Sequence, residues 1–163
     1  WGNRGEAKGM RFVRRRRDAE RGAALVEFAV LAPLLILLVL GIVEFGWLFG
    51  QYNDVRHGAR EGGRFAAVAR APLDEADVVD RVCSAMDGLD AGMTTIEVTM
   101  GQIDTDGNAG IGPGDTGTLQ VTATVGSLSG LGLIEAFLPS ELTSSVEFRL
   151  EQTPGWSPAT GTC

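Results

Sequence analysis

The polar and apolar positions of this chain change their period twice. Sixteen residues from Phe28 to Val43 pass without a charge, and mostly apolar flanks extend the segment to residues 23–50. A helix needs about 20 apolar residues to cross a bilayer, so this segment predicts a membrane span. Pro33 falls inside it and predicts a local loosening of the helix, which lipid-embedded helices tolerate when neighbours re-satisfy the backbone. After the span the period is that of an amphipathic helix. Tyr52, Val55, Ala59, Gly62, Ala66 and Ala69 recur every three or four residues, giving a small-residue stripe. Arg56, Arg60 and Arg64 form a second stripe. Pro72 ends this helix. Asp74 suits the N-cap of a second helix, with Glu75 and Asp77 in its first turn. Val78, Val79, Val82, Cys83 and Met86 form its apolar face, and Gly88 stops it.

Further on the period falls to two. Ile96, Val98 and Met100 alternate with polar residues, as do Leu119, Val121, Ala123 and Val125, and then Val146, Phe148 and Leu150. Each run predicts a strand with one apolar face. A connection rich in Gly and Asp, residues 104–117, joins the first two. Between the second and third, Leu131, Leu133, Ile134, Phe137 and Leu138 predict a short apolar helix ended by Pro139. The expected fold is α+β: a long N-terminal transmembrane helix that continues out of the membrane, a second helix, and a small three-stranded antiparallel sheet. Residues 1–22 read as a leader, 23–50 as the span, 51–153 as an α+β domain and 154–163 as an irregular tail.

Charge orients this plan. Residues 1–22 hold eight Lys or Arg against three acids, whereas residues 23–163 hold six Arg against 18 acids. Positive residues beside a first apolar segment stay cytoplasmic. The N-terminus is therefore expected in the cytoplasm, with the α+β domain on the far side of a single-pass cell membrane. The same position makes the arginine cluster a topogenic signal, and no nucleic-acid partner is expected. A cleaved secretory signal fits poorly, because the apolar region is too long. Ala69, Arg70 and Ala71 have the letters of a cleavage site but lie too far downstream.

Two acids bracket the apolar core. Glu27 and Glu44 are separated by about 25 Å of helix, close to the thickness of the hydrocarbon layer, so each can sit near one interface. A carboxylate at the centre of a membrane helix costs about 2.5–3.5 kcal/mol on insertion scales. Glu27 therefore needs interfacial water or a partner. Glu44 reads as an acid just outside the hydrocarbon with no function of its own. Trp47, Phe49 and Tyr52 suit an outer aromatic belt. Gly41, Gly46 and Gly50 are equally compatible with close helix packing and with ordinary small residues.

Little in the chain suggests catalysis. Asp104, Asp106, Gly107 and Asn108 have the letters that open a calcium loop. Ala109 then stands where that loop needs glycine, and Asp115 where it needs a bidentate glutamate. The segment reads as a hairpin loop. His57 has no Cys or Ser nucleophile in a triad-like arrangement and reads as a solvated helix residue. No phosphate loop or zinc pattern is present, so neither a cofactor nor an enzymatic activity is expected. The chain has two cysteines, Cys83 and Cys163. In an oxidising compartment such a pair more often forms a bridge than stays free. A Cys83–Cys163 disulfide, tying down the tail, is the expectation.

Three blocks carry a resemblance: RGAALVEFA at 21–29, GIVEFG at 41–46 and AREGGRFAA at 59–67. In order and spacing they resemble the TadE-like family, pilin-like proteins of the tight-adherence (Flp, type IVb) pilus system. GDT at 114–116, before an alternating strand, resembles the family more weakly. The resemblance implies a precursor cut by a membrane prepilin peptidase after Gly22, with Ala23 as the new N-terminus and Glu27 as the fifth mature residue. It implies that Glu27 neutralises the new amine of a neighbouring subunit during assembly. It also implies partners: the prepilin peptidase, other pilins or pilin-like subunits, and the membrane platform that assembles the pilus. The expected function is that of a minor pilin or pseudopilin. The alternative is a permanently anchored extracytoplasmic binding module, uncut, with its sheet face as the binding surface.

Overall fold

The computed structural model describes residues 6–86, 93–108, 110–126 and 138–163. Its elements are α1 (Glu6–Val68), α2 (Glu75–Ser84), β1 (Met93–Ile103), β2 (Thr116–Val125), β3 (Glu141–Arg149) and β4 (Ala159–Thr162). The chain divides into two compact units, Trp1–Val43 and Glu44–Cys163. α1 is continuous across the boundary and passes through Pro33 without a break.

In the first unit, the apolar side chains of α1 are turned outward. Leu25, Val26, Phe28, Leu34, Ile36 and Leu38 are all exposed. Exposed apolar patches on soluble monomers seldom exceed a few hundred Å², so a surface of this kind belongs in a solvent other than water. α1 is long and apolar enough to cross a membrane, which agrees with the span read from the sequence.

The second unit has two layers. Residues 44–68 of α1 and all of α2 lie on one face of an antiparallel sheet. Strand order is β3-β2-β1-β4. The small-residue stripe is the reason for the close fit. Val55, Ala59 and Ala66 are fully buried, and Ala69 nearly so. A Cβ added at Gly58 would lie 2.6 Å from Met86 Cγ, and one at Gly63 would lie 2.7 Å from Val146 Cγ1. α1 thus approaches its neighbours so closely that a side chain at either position would force the facing Met86 or Val146 side chain to shift. Tyr52 departs from the stripe. It is 37% exposed and lies under the Arg56 guanidinium. From the sheet, Val98, Met100, Leu119, Val121 and Ala123 supply the facing layer, and Phe148 packs against it half-buried. α2 begins as expected. Asp74 accepts hydrogen bonds from the N–H groups of Ala76 (3.0 Å) and Asp77 (3.3 Å), while its own N–H donates to Asp77 Oδ2. This is a capping box, which satisfies otherwise orphaned donors at the helix start.

Two expectations about this unit need correction. The sheet has four strands, and the fourth, Ala159–Thr162, lies in the tail expected to be irregular, whose residues 154–158 take no regular structure. β4 pairs antiparallel with β1, with Val98 opposite Gly161 and Met100 opposite Ala159. Its inward positions are Ala159 and Gly161, which are too small to show an apolar alternation. The segment leading into β4 also completes α1. The last carbonyls of a helix have no intrahelical donor. Here the Trp156 indole N–H donates to the Ala66 carbonyl (2.9 Å), Glu151 N–H to Ala67 (3.0 Å) and Gly155 N–H to Ala69 (3.1 Å). Trp156 is 3% exposed and tilts against Phe148, with ring centroids 6.2 Å apart. The tail is therefore part of the core. The short apolar helix expected around Leu131, Leu133, Ile134 and Phe137, and the stop at Gly88, lie outside the described residues.

Candidate functional site

Gly22 and Ala23 lie within α1 and are exposed. Nothing stands within 4 Å of a Cβ placed at Gly22. Glu27 follows one helical turn later and is also exposed. The junction and the carboxylate are thus both on the surface of the first unit, open to a second molecule.

Glu44 differs from its sequence reading. It is 2% exposed within the second unit and is not an acid facing interfacial water. Gln51 is 3% exposed, and its amide nitrogen and oxygen have no hydrogen-bond partner among the described residues. The Trp47 indole N–H is buried and without a partner in the same sense. Glu44, Trp47 and Gln51 recur at helical spacing, so the first turns of α1 in this unit carry a buried polar row. Trp47 turns its polar atom into the protein and does not present it to a headgroup layer. The signal was available in the sequence as polar residues at i and i+7. The aromatic residues around them favoured the belt reading.

The arginine stripe has the opposite character. Arg60 and Arg64 are exposed, and neither makes an ion pair among the described residues. Glu61, the acid nearest them in sequence, pairs instead with Arg81 of α2. A shallow cleft of about 310 Å³ lies here, lined by Glu61, Arg64, Phe65, Val68 and Arg81. Its volume is at the low end of small-molecule sites. His57 is exposed on α1.

The loop between β1 and β2 gathers Asp104, Asp106 and Asp115, with carboxylate oxygens within 4.8 Å of one another. Asp115 is fully buried and committed to the loop itself. It accepts hydrogen bonds from Thr105 N–H (2.9 Å), Thr105 Oγ1 (3.1 Å) and Gly112 N–H (2.9 Å). The Thr105 and Gly112 amides hold its carboxyl below the usual aspartate range, because they stabilise the charged form. Gly114 takes a positive φ of 107° and donates its N–H to the Leu150 carbonyl (2.7 Å). The geometry is that of a self-satisfied turn, in line with the hairpin reading.

Cys83 and Cys163 form a disulfide, with Cα atoms 5.6 Å apart across 80 residues of chain. The bridge joins α2 to the end of β4. At the other end of α2, Ser157 donates from both N–H and Oγ to Glu75. These bonds, the hydroxyl's first, hold the Glu75 carboxyl below the ordinary glutamate range.

The arrangement defines a class: an α+β protein whose N-terminal helix is a candidate single membrane span. Within the chain, residues 22–64 match the family model described as TadE-like protein, the family that the three sequence blocks resemble. The matched segment begins at Gly22 and takes in Glu27, the apolar span, and Arg60 to Arg64. A TadE-like segment associates the chain with the tight-adherence pilus system. No curated protein and no solved structure matches the chain.

Proposed function

We propose that this protein is a minor pilin or pseudopilin that takes part in assembling tight-adherence pili, and that a prepilin peptidase cuts it after Gly22. The observation that carries the reading is the TadE-like match over residues 22–64. It starts at the residue that would precede the cut and contains the acid that would become the fifth mature residue.

The physical logic has three parts. The basic leader holds the N-terminus in the cytoplasm until the chain is inserted. Gly22 and Ala23 have almost no side chain to resist local unwinding into a protease, since glycine carries the largest backbone entropy of any residue. After the cut Ala23 bears a free amine. A Glu27 carboxylate in or near hydrocarbon is then stabilised by the amine of an adjacent subunit, because an acid in that setting favours a cationic partner. Assembly and charge neutralisation become the same event. The buried polar row at Glu44 and Gln51 plays no part in this scheme.

Glu27→Ala tests it. Replacing an acid with an apolar side chain lowers the cost of membrane insertion, so the variant is expected in the membrane at normal levels. It is expected to support few or no pili when it replaces the native chain. Normal piliation with Glu27→Ala would return Glu27 to the role of a solvated interfacial acid and overturn the proposed mechanism.

A further inference from the structure

β3 lies at one edge of the sheet, and its hydrogen-bonding phase is fixed at both ends. Val125 N–H donates to the Ser140 carbonyl (3.0 Å), and Leu150 N–H to the Asp115 carbonyl (2.8 Å). Between these bonds the register runs without a shift, from Thr124 opposite Glu141 to Thr116 opposite Arg149. Opposite residues in an antiparallel ladder alternate between exchanging both hydrogen bonds and exchanging none. Leu142, Ser144, Val146 and Phe148 therefore bond to β2. Glu141, Thr143, Ser145, Glu147 and Arg149 turn their N–H and C=O groups away from it. These residues are exposed, and the outward groups have no backbone partner among the described residues. Natural edge strands are usually blunted by proline, lysine, a bulge or short length. β3 has nine residues and none of these devices.

α1 supplies a flank beside this edge. A Cβ at Gly63 would point at Val146 and Phe148, so this side of α1 is the one turned to β3. Positions three, four and seven residues apart share one face of a helix. Arg60 and Arg56, three and seven residues before Gly63, therefore lie in its row. Glu61 turns the other way and pairs with Arg81 of α2. Arg60 is exposed, and Arg56 is half-buried with its guanidinium carbon 5.6 Å from the Tyr52 ring centroid. Neither has an ion pair among the described residues. Residues 44–163 hold 17 acids and six arginines. A basic row beside an open strand thus runs against the charge of the domain around it.

The geometry points to the free edge of β3 as a docking site for an extended acidic segment of a partner protein, which adds a strand to the sheet and turns its carboxylates to Arg56 and Arg60. In strand addition the main-chain hydrogen bonds supply affinity whatever the sequence, and alternate side chains supply specificity. Successive side chains of the added strand point to opposite faces of the sheet. Those on the helix side meet the arginine row, where a carboxylate is favoured and a cation is not. Those on the outer side lie beside Glu141, Glu147 and Arg149, a mixed set that selects neither sign. The α1 flank therefore decides which segment binds. The whole contact lies within the second unit, and it depends neither on a cut after Gly22 nor on the membrane span.

The probe is a short synthetic peptide alternating threonine and glutamate, added to the full chain in detergent and followed by residue-resolved amide hydrogen exchange. Without peptide, the outward amides of Thr143, Ser145 and Glu147 are expected to exchange freely, while those of Ser144, Val146 and Phe148 are protected by the ladder with β2. The peptide is expected to slow the outward set, and its binding to weaken as salt is raised. A peptide alternating threonine and lysine is expected to bind about tenfold more weakly, about 1.4 kcal/mol. Arg56→Glu/Arg60→Glu is expected to invert that preference. The ladder amides stay protected in a folded variant, so the same spectra report binding and fold. Slow exchange of the outward amides before any peptide is added would mean that this chain or a second copy already covers the edge, and would overturn the inference. No protection by the glutamate peptide would overturn it as well. So would equal binding of the two peptides by the wild-type chain, a comparison that needs no variant, or an unchanged preference in the folded double variant.

Discussion

Trp156→Ala should unfold much of what the C-terminal segment holds together. The indole is 3% exposed, contacts Phe148 and donates to the Ala66 carbonyl at the end of α1. Truncating a buried Trp to Ala costs about 3–5 kcal/mol in other cores, through lost transfer energy and the cavity left behind. For a domain of this size that is a drop in melting temperature of roughly 10–20 °C. Trp156→Phe separates the two contributions. It keeps most of the ring and removes the N–H, leaving the Ala66 carbonyl without its donor, at a cost of about 1–3 kcal/mol. The assay is thermal unfolding of the full chain in detergent by near-ultraviolet circular dichroism, with the Cys83–Cys163 bridge intact. The bridge keeps the tail tethered in every variant, so the differences report packing and capping rather than chain entropy. Melting of Trp156→Ala within about 2 °C of wild type, less than 1 kcal/mol on this scale, would refute the account in which the tail completes the core.

Other outcomes follow from the same geometry. Gly63→Ala should destabilise the domain by about 1–3 kcal/mol through overpacking, although alanine is the better helix former by about 1 kcal/mol, since its Cβ would lie 2.7 Å from Val146 Cγ1; a higher melting temperature would contradict the close packing of α1. The carboxyl of Asp115 is held below its ordinary value of 3.8, so its contribution is present above that pH and lost as pH falls through the lower folded value. Acid titration of stability should therefore show a loss below about pH 4 that Asp115→Asn, already destabilised at neutral pH, lacks. The thiols should take up no alkylating reagent in denatured, unreduced protein, and reduction should cost about 4–5 kcal/mol on the chain-entropy estimate for a loop of this size; labelling of both without reductant would remove the bridge.

Most of the architecture was legible because period and punctuation agreed. The uncharged run from Phe28 to Val43, the glycine and alanine stripe ending at Ala69, the Asp74 cap and the alternation at Val98 and Val121 each announce one element. What stayed hidden depends on contacts distant in sequence. β4 has only Ala159 and Gly161 facing inward, so its strand character comes from pairing with β1 and not from any apolar pattern of its own. The tail looked irregular for the same reason, and Trp156 alone hinted at an anchor. Burial of Glu44 was also illegible, because an acid at the edge of an apolar run is the ordinary mark of a membrane interface. At the candidate site the sequence named Gly22, Ala23 and Glu27 through a resemblance, and their exposed positions on α1 are compatible with it.

The central claim is that the chain is a peptidase-processed pilin subunit. Its most direct test is the N-terminus of the membrane-associated protein after co-expression with a cognate prepilin peptidase, read by sequencing and intact mass, beside a Gly22→Leu variant. The account predicts a mature chain beginning at Ala23, with the basic leader gone, and no cut in Gly22→Leu. A wild-type chain that keeps its leader and shows the same mass with and without an active peptidase would contradict it.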